Sequence, residues 1–246
     1  MIFNRLIKGL FLLIFFYFCF ACNDRKNGSL GGIIKLSADE DSAIHLVANT
    51  LGGECQPSVG VSTEIAGNHK FFEIELSKSP FIDKYRDKPH LVASATAHIF
   101  YSRLTEQKNT YGEIRSVLLT GNGEKITYKF PVEQLQLVEQ KFSVLDSVVS
   151  RIEKKQWQSL QLQLQDSPLL PIPSDELVKN LSNAENQLGR ITKLKHFGFE
   201  FEQINSVGQV LHLHAIVNRD KQGTEFKLDL NPAPADNQLY LINYHF

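Results

Sequence analysis

The sequence predicts an α+β fold of two small domains, 36–130 and 131–246, each with helices packed on a mainly antiparallel sheet. Three observations carry the prediction. Capped segments with apolar residues three and four apart mark helices. Segments that alternate apolar and polar residues mark strands. Beyond Gly189 the period stays at two to the end of the chain, so the second half places its helices first and its sheet last.

In chain order, Ser37-Ala-Asp-Glu40 reads as a capping box, in which serine and glutamate each satisfy a backbone N–H at the helix start. Ile44, Val47, Ala48 and Leu51 share one face of that helix, and Gly52-Gly53 ends it. Strands follow at 59–65 and 70–76 around a Gly67-Asn68 turn. In the second of them Phe72, Ile74 and Leu76 alternate with Glu73 and Glu75. Ser79-Pro80 caps a short helical turn. A longer helix then starts near Pro89 and runs to about Gln107, where Leu91, Val92, Ala95, Ile99, Tyr101 and several alanines suit close packing on a sheet. Strands at 111–119 and 125–130 flank the turn-forming run Thr120-Gly-Asn-Gly123.

Pro131 opens a helix to about Lys155 with Leu135, Val138, Phe142, Leu145, Val149 and Ile152 in one stripe. Trp157 begins a second, short helix. Leu160, Leu162 and Leu164 would also suit a strand, but the intervening glutamines favour helix. Ser174 caps a third helix that Gly189 stops. The closing strands then carry Phe197, Phe199 and Phe201, Leu211 to Val217, and Phe226 to Leu230 in alternation, with a fourth strand from Leu239.

The leading segment 6–22 carries the clearest functional signal. Arg5 and Lys8 precede an uncharged run rich in Phe, Leu and Ile, which breaks off at the polar stretch after Cys22. A basic start, an apolar core of this length and a small residue before the break define a secretory signal peptide, here 1–21. The run is shorter than the ~20 apolar residues a spanning helix needs, although counting from Leu6 brings an uncleaved anchor within reach. Ala21-Cys22 behind the apolar core resembles the bacterial lipobox, with Cys19 and Phe20 where that motif usually has leucine and a small residue. The resemblance implies cleavage before Cys22, lipid attachment (palmitate among the acyl chains) to its sulfur and amine, and a polar tether over 22–35. It places the body on a membrane of the bacterial cell envelope, facing the periplasm or exterior.

The second half has its own likeness. The helix from Pro131, the KKQWQSL passage opening the second helix, NAENQLG closing the third and the strands that follow resemble an NTF2-like (cystatin-like) domain over 131–246. That resemblance implies helices covering one face of a conical sheet. It assigns no activity, because the group spans isomerases, dehydratases and binding modules.

Composition excludes several classes. Of 26 Lys and Arg, Arg5 and Lys8 leave with the leader, so 24 face 27 Asp and Glu. The basic residues are scattered, which argues against a nucleic-acid partner. There is no P-loop, dinucleotide fingerprint or nucleophile elbow, and no cofactor is implied. With Cys19 discarded and Cys22 lipidated, Cys55 has no cysteine to pair with; an unlipidated Cys22 could instead bridge to it.

His212-x-His214 is the main chemical candidate. Two imidazoles two residues apart lie on one face of a strand, and with Glu200, Glu202 or Glu225 from neighbouring strands they could bind a divalent metal. Against that stands the solvated face of a half-buried sheet, where His, Glu and Lys are ordinary. His98 on an alanine-rich helix and His45 beside an apolar stripe read as packing or boundary residues, and Asp146 and Glu153 as helical carboxylates on the less apolar side. The expectation is a membrane-anchored envelope lipoprotein that binds a small ligand or a protein partner without catalysing a reaction. The alternatives are an enzyme with an acid/base or metal site in the cone and a subunit of an envelope assembly.

Overall fold

A computed structural model describes residues 35–64, 67–164 and 167–245. The leader, Cys22 and nearly all of the tether lie outside the described residues. Leu36–Phe246 forms one compact unit. No helix among the described residues is long and apolar enough to cross a membrane.

Among the described residues six helices and eight strands follow one another as α1 (Ala38–Leu51), β1 (Glu54–Glu64), β2 (Gly67–Ser77), α2 (Pro80–Lys84), α3 (Pro89–Arg103), β3 (Glu113–Leu119), β4 (Lys125–Pro131), α4 (Val132–Glu153), α5 (Trp157–Leu164), α6 (Ser174–Leu188), β5 (Ile191–Ile204), β6 (Gly208–Arg219), β7 (Thr224–Leu230) and β8 (Leu239–His245). The fold is α+β, as expected. Strands β1–β4 form one sheet in sequence order and β5–β8 another. The second is an antiparallel meander. In the first, β2 and β3 run parallel and the other two pairs antiparallel, because α2 and α3 carry the chain back before β3 starts.

The local signals hold closely at α1. Ser37 Oγ accepts from the Glu40 N–H at 3.2 Å, and Glu40 Oε2 accepts from the Ser37 N–H at 2.7 Å. Glu40 is itself buried, and its other carboxylate oxygen accepts from the Tyr111 hydroxyl at 2.5 Å, tying the helix start to the approach to β3. The β1–β2 turn differs from expectation. Gly67 and Asn68 pair with Glu64 and Thr63 as ladder residues, so the strands run on past the apolar alternation that marked them. Helix α3 ends at Arg103 rather than near Gln107. Leu104 turns to extended backbone with its side chain buried, and Asp39 of α1 then accepts from the Thr105 N–H at 3.1 Å.

Two helices show how position governs composition. In α4 every residue of the expected stripe is buried, and Lys141 joins them. Its ammonium donates to the carbonyls of Ala233 (2.6 Å) and Asp236, anchoring the β7–β8 loop. Helix α3 instead has no solvated face from Leu91 to Tyr101. It packs on β2, β3 and β4 of the first sheet, on α1 and α4, and along β5 of the second sheet. Its alanines allow that crowding. One continuous apolar cluster includes Phe72 and Ile114 of the first sheet, Phe100 of α3, and Leu213 and Leu228 of the second.

Where α3 meets β5 the sheet is irregular. His196 pairs with Ala215 and Phe199 with Leu213, so Phe197 and Gly198 together stand opposite His214, a β-bulge. Gly198 is required there: a Cβ would lie 2.5 Å from the Leu91 carbonyl oxygen. The Phe199 N–H donates to Ser94 Oγ of α3 at 2.9 Å, which satisfies an edge group of β5. The bulge has a second effect. It breaks the expected row Phe197–Phe199–Phe201, sending Phe197 toward Phe81 and Tyr85 while His196 joins the apolar face.

Candidate functional site

The two histidines singled out from the sequence lie on the face of the second sheet opposite Leu211, Leu213 and Ala215. This face is not solvated at His212, which is buried with Asp229 beside it. His212 Nδ1 lies 2.7 Å from Asp229 Oδ1, and Nε2 lies 2.9 Å from Glu202 Oε2. Lys227 Nζ is 3.3 Å from the same Asp229 oxygen. Each ring nitrogen therefore has a carboxylate oxygen at hydrogen-bonding distance, and neither is open to a further partner. Of the carboxylates proposed as co-ligands, Glu202 does reach His212, and the other two are engaged elsewhere. Glu225 accepts from Lys84 Nζ (2.7 Å) and the Tyr85 hydroxyl (2.6 Å), and Glu200 lies 3.0 Å from His90 Nε2 without hydrogen-bond alignment. Burial, with Lys227 and His212 nearby, pushes His214 down to about 3. Among the described residues no group of three or more His, Cys, Asp and Glu side chains is placed to hold a metal ion.

A different trio, His98, Asp146 and His196, comes together elsewhere. A cavity of about 460 Å³ opens between α1 (Leu46, Thr50), α3 (His98, Ile99, Ser102), α4 (Asp146) and β5 (Lys193 to His196). At its edge His196 Nε2 and Asp146 Oδ1 are 2.6 Å apart. The pair is open to water, 31% and 51% exposed, so their attraction is screened. Behind it Phe142 of α4 stacks on both His196 and His98, at 4.3 Å between ring centres in each case. The three aromatic rings pack as a block that fixes how the histidines face the opening.

His98 is the unusual member. It is 3% exposed, and its Nδ1 is a buried polar atom with no hydrogen-bond partner. Burial first, then the charges of His196 and Lys108, pushes its pKa down to about 3, so the ring is neutral at physiological pH and carries one N–H and one lone pair. An unmet buried polar atom costs about 1–3 kcal/mol, and here that atom is closed to a water-sized group. Ser102 lines the same cavity but donates its hydroxyl to the Ile99 carbonyl at 3.1 Å. A second cavity, of about 360 Å³ beside α2 and the β3–β4 turn, is lined by Asp83, Arg86 and Glu124 among others; there Asp83 and Arg86 pair weakly at 3.5 Å and Thr120 bonds Asn122.

Sequence patterns had placed His98 and Asp146 on helices separately and passed over His196. The only signal available was the interruption Phe197-Gly198, a glycine within a strand, which marks a bulge or a close backbone approach. His45 lies exposed on α1, 3.7 Å from Asp41, and takes no part. Cys55 is a free, half-buried thiol whose pKa burial raises to about 11, the opposite of an activated nucleophile. Compared with protein-family models, with curated proteins and with solved structures, the chain matches none.

Proposed function

We propose that this protein is a membrane-anchored lipoprotein of the bacterial cell envelope whose folded body binds a small ligand without transforming it. The observation that carries the binding half is the cavity between α1, α3, α4 and β5, where His98 and His196 stack on Phe142 beside an ion pair open to water. The leader supports the address, with Cys22 as the lipidated residue and the membrane as first partner. Three helices followed by a four-stranded meander support an NTF2-like arrangement of 131–246. The apolar face of that sheet is filled by Phe199, Leu213, Phe226, Leu228 and Ile242, all buried, which leaves the work to the cavity at its β5 edge.

One observation favours the enzymatic alternative: Asp146 orienting His196 is the arrangement of a general base. Its openness to water and the commitment of the Ser102 hydroxyl elsewhere weigh against it.

Two measurements test the proposal. The mass of the mature N-terminus is expected to show a lipid-modified Cys22, and an intact Met1 or an unmodified residue 22 would overturn the anchoring. Histidine ring NMR of the full chain, screened against small organic anions, cations and neutral compounds, is expected to show saturable shifts at His98 and His196. Shifts in neither ring across all three sets would sink the binding assignment.

A further inference from the structure

We infer that β1 is an interaction surface for a second copy of this chain, whose own β1 pairs with it antiparallel about Gly60. This goes beyond the ligand binding proposed above and does not depend on it. The two sheets have four edge strands, β1, β4, β5 and β8. An edge strand shows a row of unpaired N–H and C=O groups, and proteins cover, shorten or charge such rows. Three of the edges here are protected. Strand β4 has seven residues, carries exposed Lys125 and Lys129 and ends at Pro131. Strand β5 packs along α3, where Ser94 Oγ takes up the Phe199 N–H. Strand β8, again of seven residues, lies against α5, and its Tyr240 carbonyl accepts from Ser167 Oγ. Strand β1 has eleven residues and no charge between Glu54 and Glu64.

The outer side of β1 is also chemically open. The Lys70 carbonyl accepts from the Gly112 N–H, so even-numbered residues of β2 turn toward β3 and odd-numbered ones toward β1. Lys70 stands opposite Val61 and Phe72 opposite Val59, so the N–H and C=O groups of Val59 and Val61 point away from the sheet. Among the described residues no backbone hydrogen bond reaches them from outside. Val59 and Val61 are 40% and 63% exposed. On the other face the Phe71 ring lies over Gly60, where a Cβ would come within 2.3 Å of it. The middle of this edge is therefore apolar on both faces.

The strand's own sequence selects the partner. Ser58-Val59-Gly60-Val61-Ser62 reads the same in both directions. Antiparallel pairing about Gly60 sets Val59 against Val61 of the second copy, with both N–H···O bonds made. It sets Ser58 against Ser62 at the closer, unbonded positions. Like charges do not meet, because the paired stretch has none. Thr63 would donate to the Pro57 carbonyl, so the N–H that proline lacks removes a bond only at each end. Such a twofold pair closes on itself and joins the two β1–β4 sheets into one.

Sedimentation equilibrium of the full chain in mild detergent tests this. A reversible mixture of one and two copies is expected at about 10–100 μM, as suits a small interface. Val61→Lys brings the new lysines of the two copies near each other and should weaken the pairing about tenfold. Its melting temperature at low protein concentration should stay within about 2 °C, because the side chain is exposed. With Cys55→Ser removing the free thiol, Ser58→Cys and Ser62→Cys together should give a disulfide-linked dimer on oxidation. Their Cα atoms would lie about 4.5 Å apart across the pair, within disulfide reach. Neither substitution alone should crosslink, since each position then faces a serine. A single copy at every concentration, an unchanged dimer in Val61→Lys, or crosslinking by one substitution as readily as by both would overturn the proposal. Assemblies larger than two copies would overturn the closed pairing. A chain that stays single and binds an extended peptide of another sequence along β1 would assign the edge to a foreign strand, and self-pairing falls.

Discussion

His212 and His98 are both buried histidines of the same unit, and they sit in opposite electrostatic situations. His212 has a carboxylate at each ring nitrogen, Asp229 at 2.7 Å and Glu202 at 2.9 Å. His98 has aromatic carbon against its face and nothing at Nδ1. The first is a completed internal network. The second is an unpaired nitrogen in a ring that lines a cavity. Residue type and spacing favoured His212 as the reactive one, yet a histidine partnered at both nitrogens has nothing left to offer a ligand.

The comparison can be broken most forcefully at Asp229. Asp229→Ala leaves His212 buried with Glu202 as its remaining partner, and a loss of about 3 kcal/mol is expected in urea unfolding. Asp146→Ala removes the equivalent partner of His196, but at an exposed pair, and should cost less than about 1 kcal/mol. Similar losses at the two aspartates would mean that the second site is as structural as the first.

Next in size is Gly198→Ala. The added methyl would press on the Leu91 carbonyl, so β5 must move off α3, with an expected loss of about 1–3 kcal/mol. Because His196 hangs from the same bulge, its ring signals should shift in that variant while those of His212 stay in place. Movement of His212 alone would contradict the assigned link between bulge and cavity.

Acidification sharpens the contrast more gently. The folded pKa of His98 lies near 3, below the unfolded value of 6.5, so the unfolded chain takes up a proton that the folded chain refuses. Stability is therefore greatest above pH 6.5 and falls as the pH drops toward 3, at about 1 kcal/mol per pH unit for this group. His214, also lowered to about 3, adds a loss of the same sign over the same window. His98→Leu should flatten the melting temperature between pH 7 and pH 5; an unchanged slope would mean that His98 takes up its proton in the fold. The smallest effect expected is that of zinc. A tenfold excess should move the melting temperature of the wild type and of the His212→Ala, His214→Ala double variant by the same amount, and a shift confined to the wild type would revive metal binding there.

Much of the architecture was legible in the residues. The capping box at Ser37 and Glu40, the stripe of α4, the helical choice for Trp157–Leu164, and the stop at Gly189 with its φ of 84° all depend on neighbours within a turn or two, and all four hold. Less of the site was legible. His98, Asp146 and His196 come from α3, α4 and β5, roughly fifty residues apart at each step, and no local period relates them. The bulge at Phe197-Gly198 also reverses the faces that alternation assigns, which removed His196 from view.

The sequence by itself determined the class of fold, the order of its elements and the expected address carried by the leader, because hydrophobic period, caps and charge runs act over short distances. Tertiary structure decided which polar groups are satisfied. Whether a histidine is paired, neutral or left with an open nitrogen depends on what long-range packing brings against it. In this protein that packing centres on α3, which touches strands of both sheets and buries one imidazole with an unpaired nitrogen.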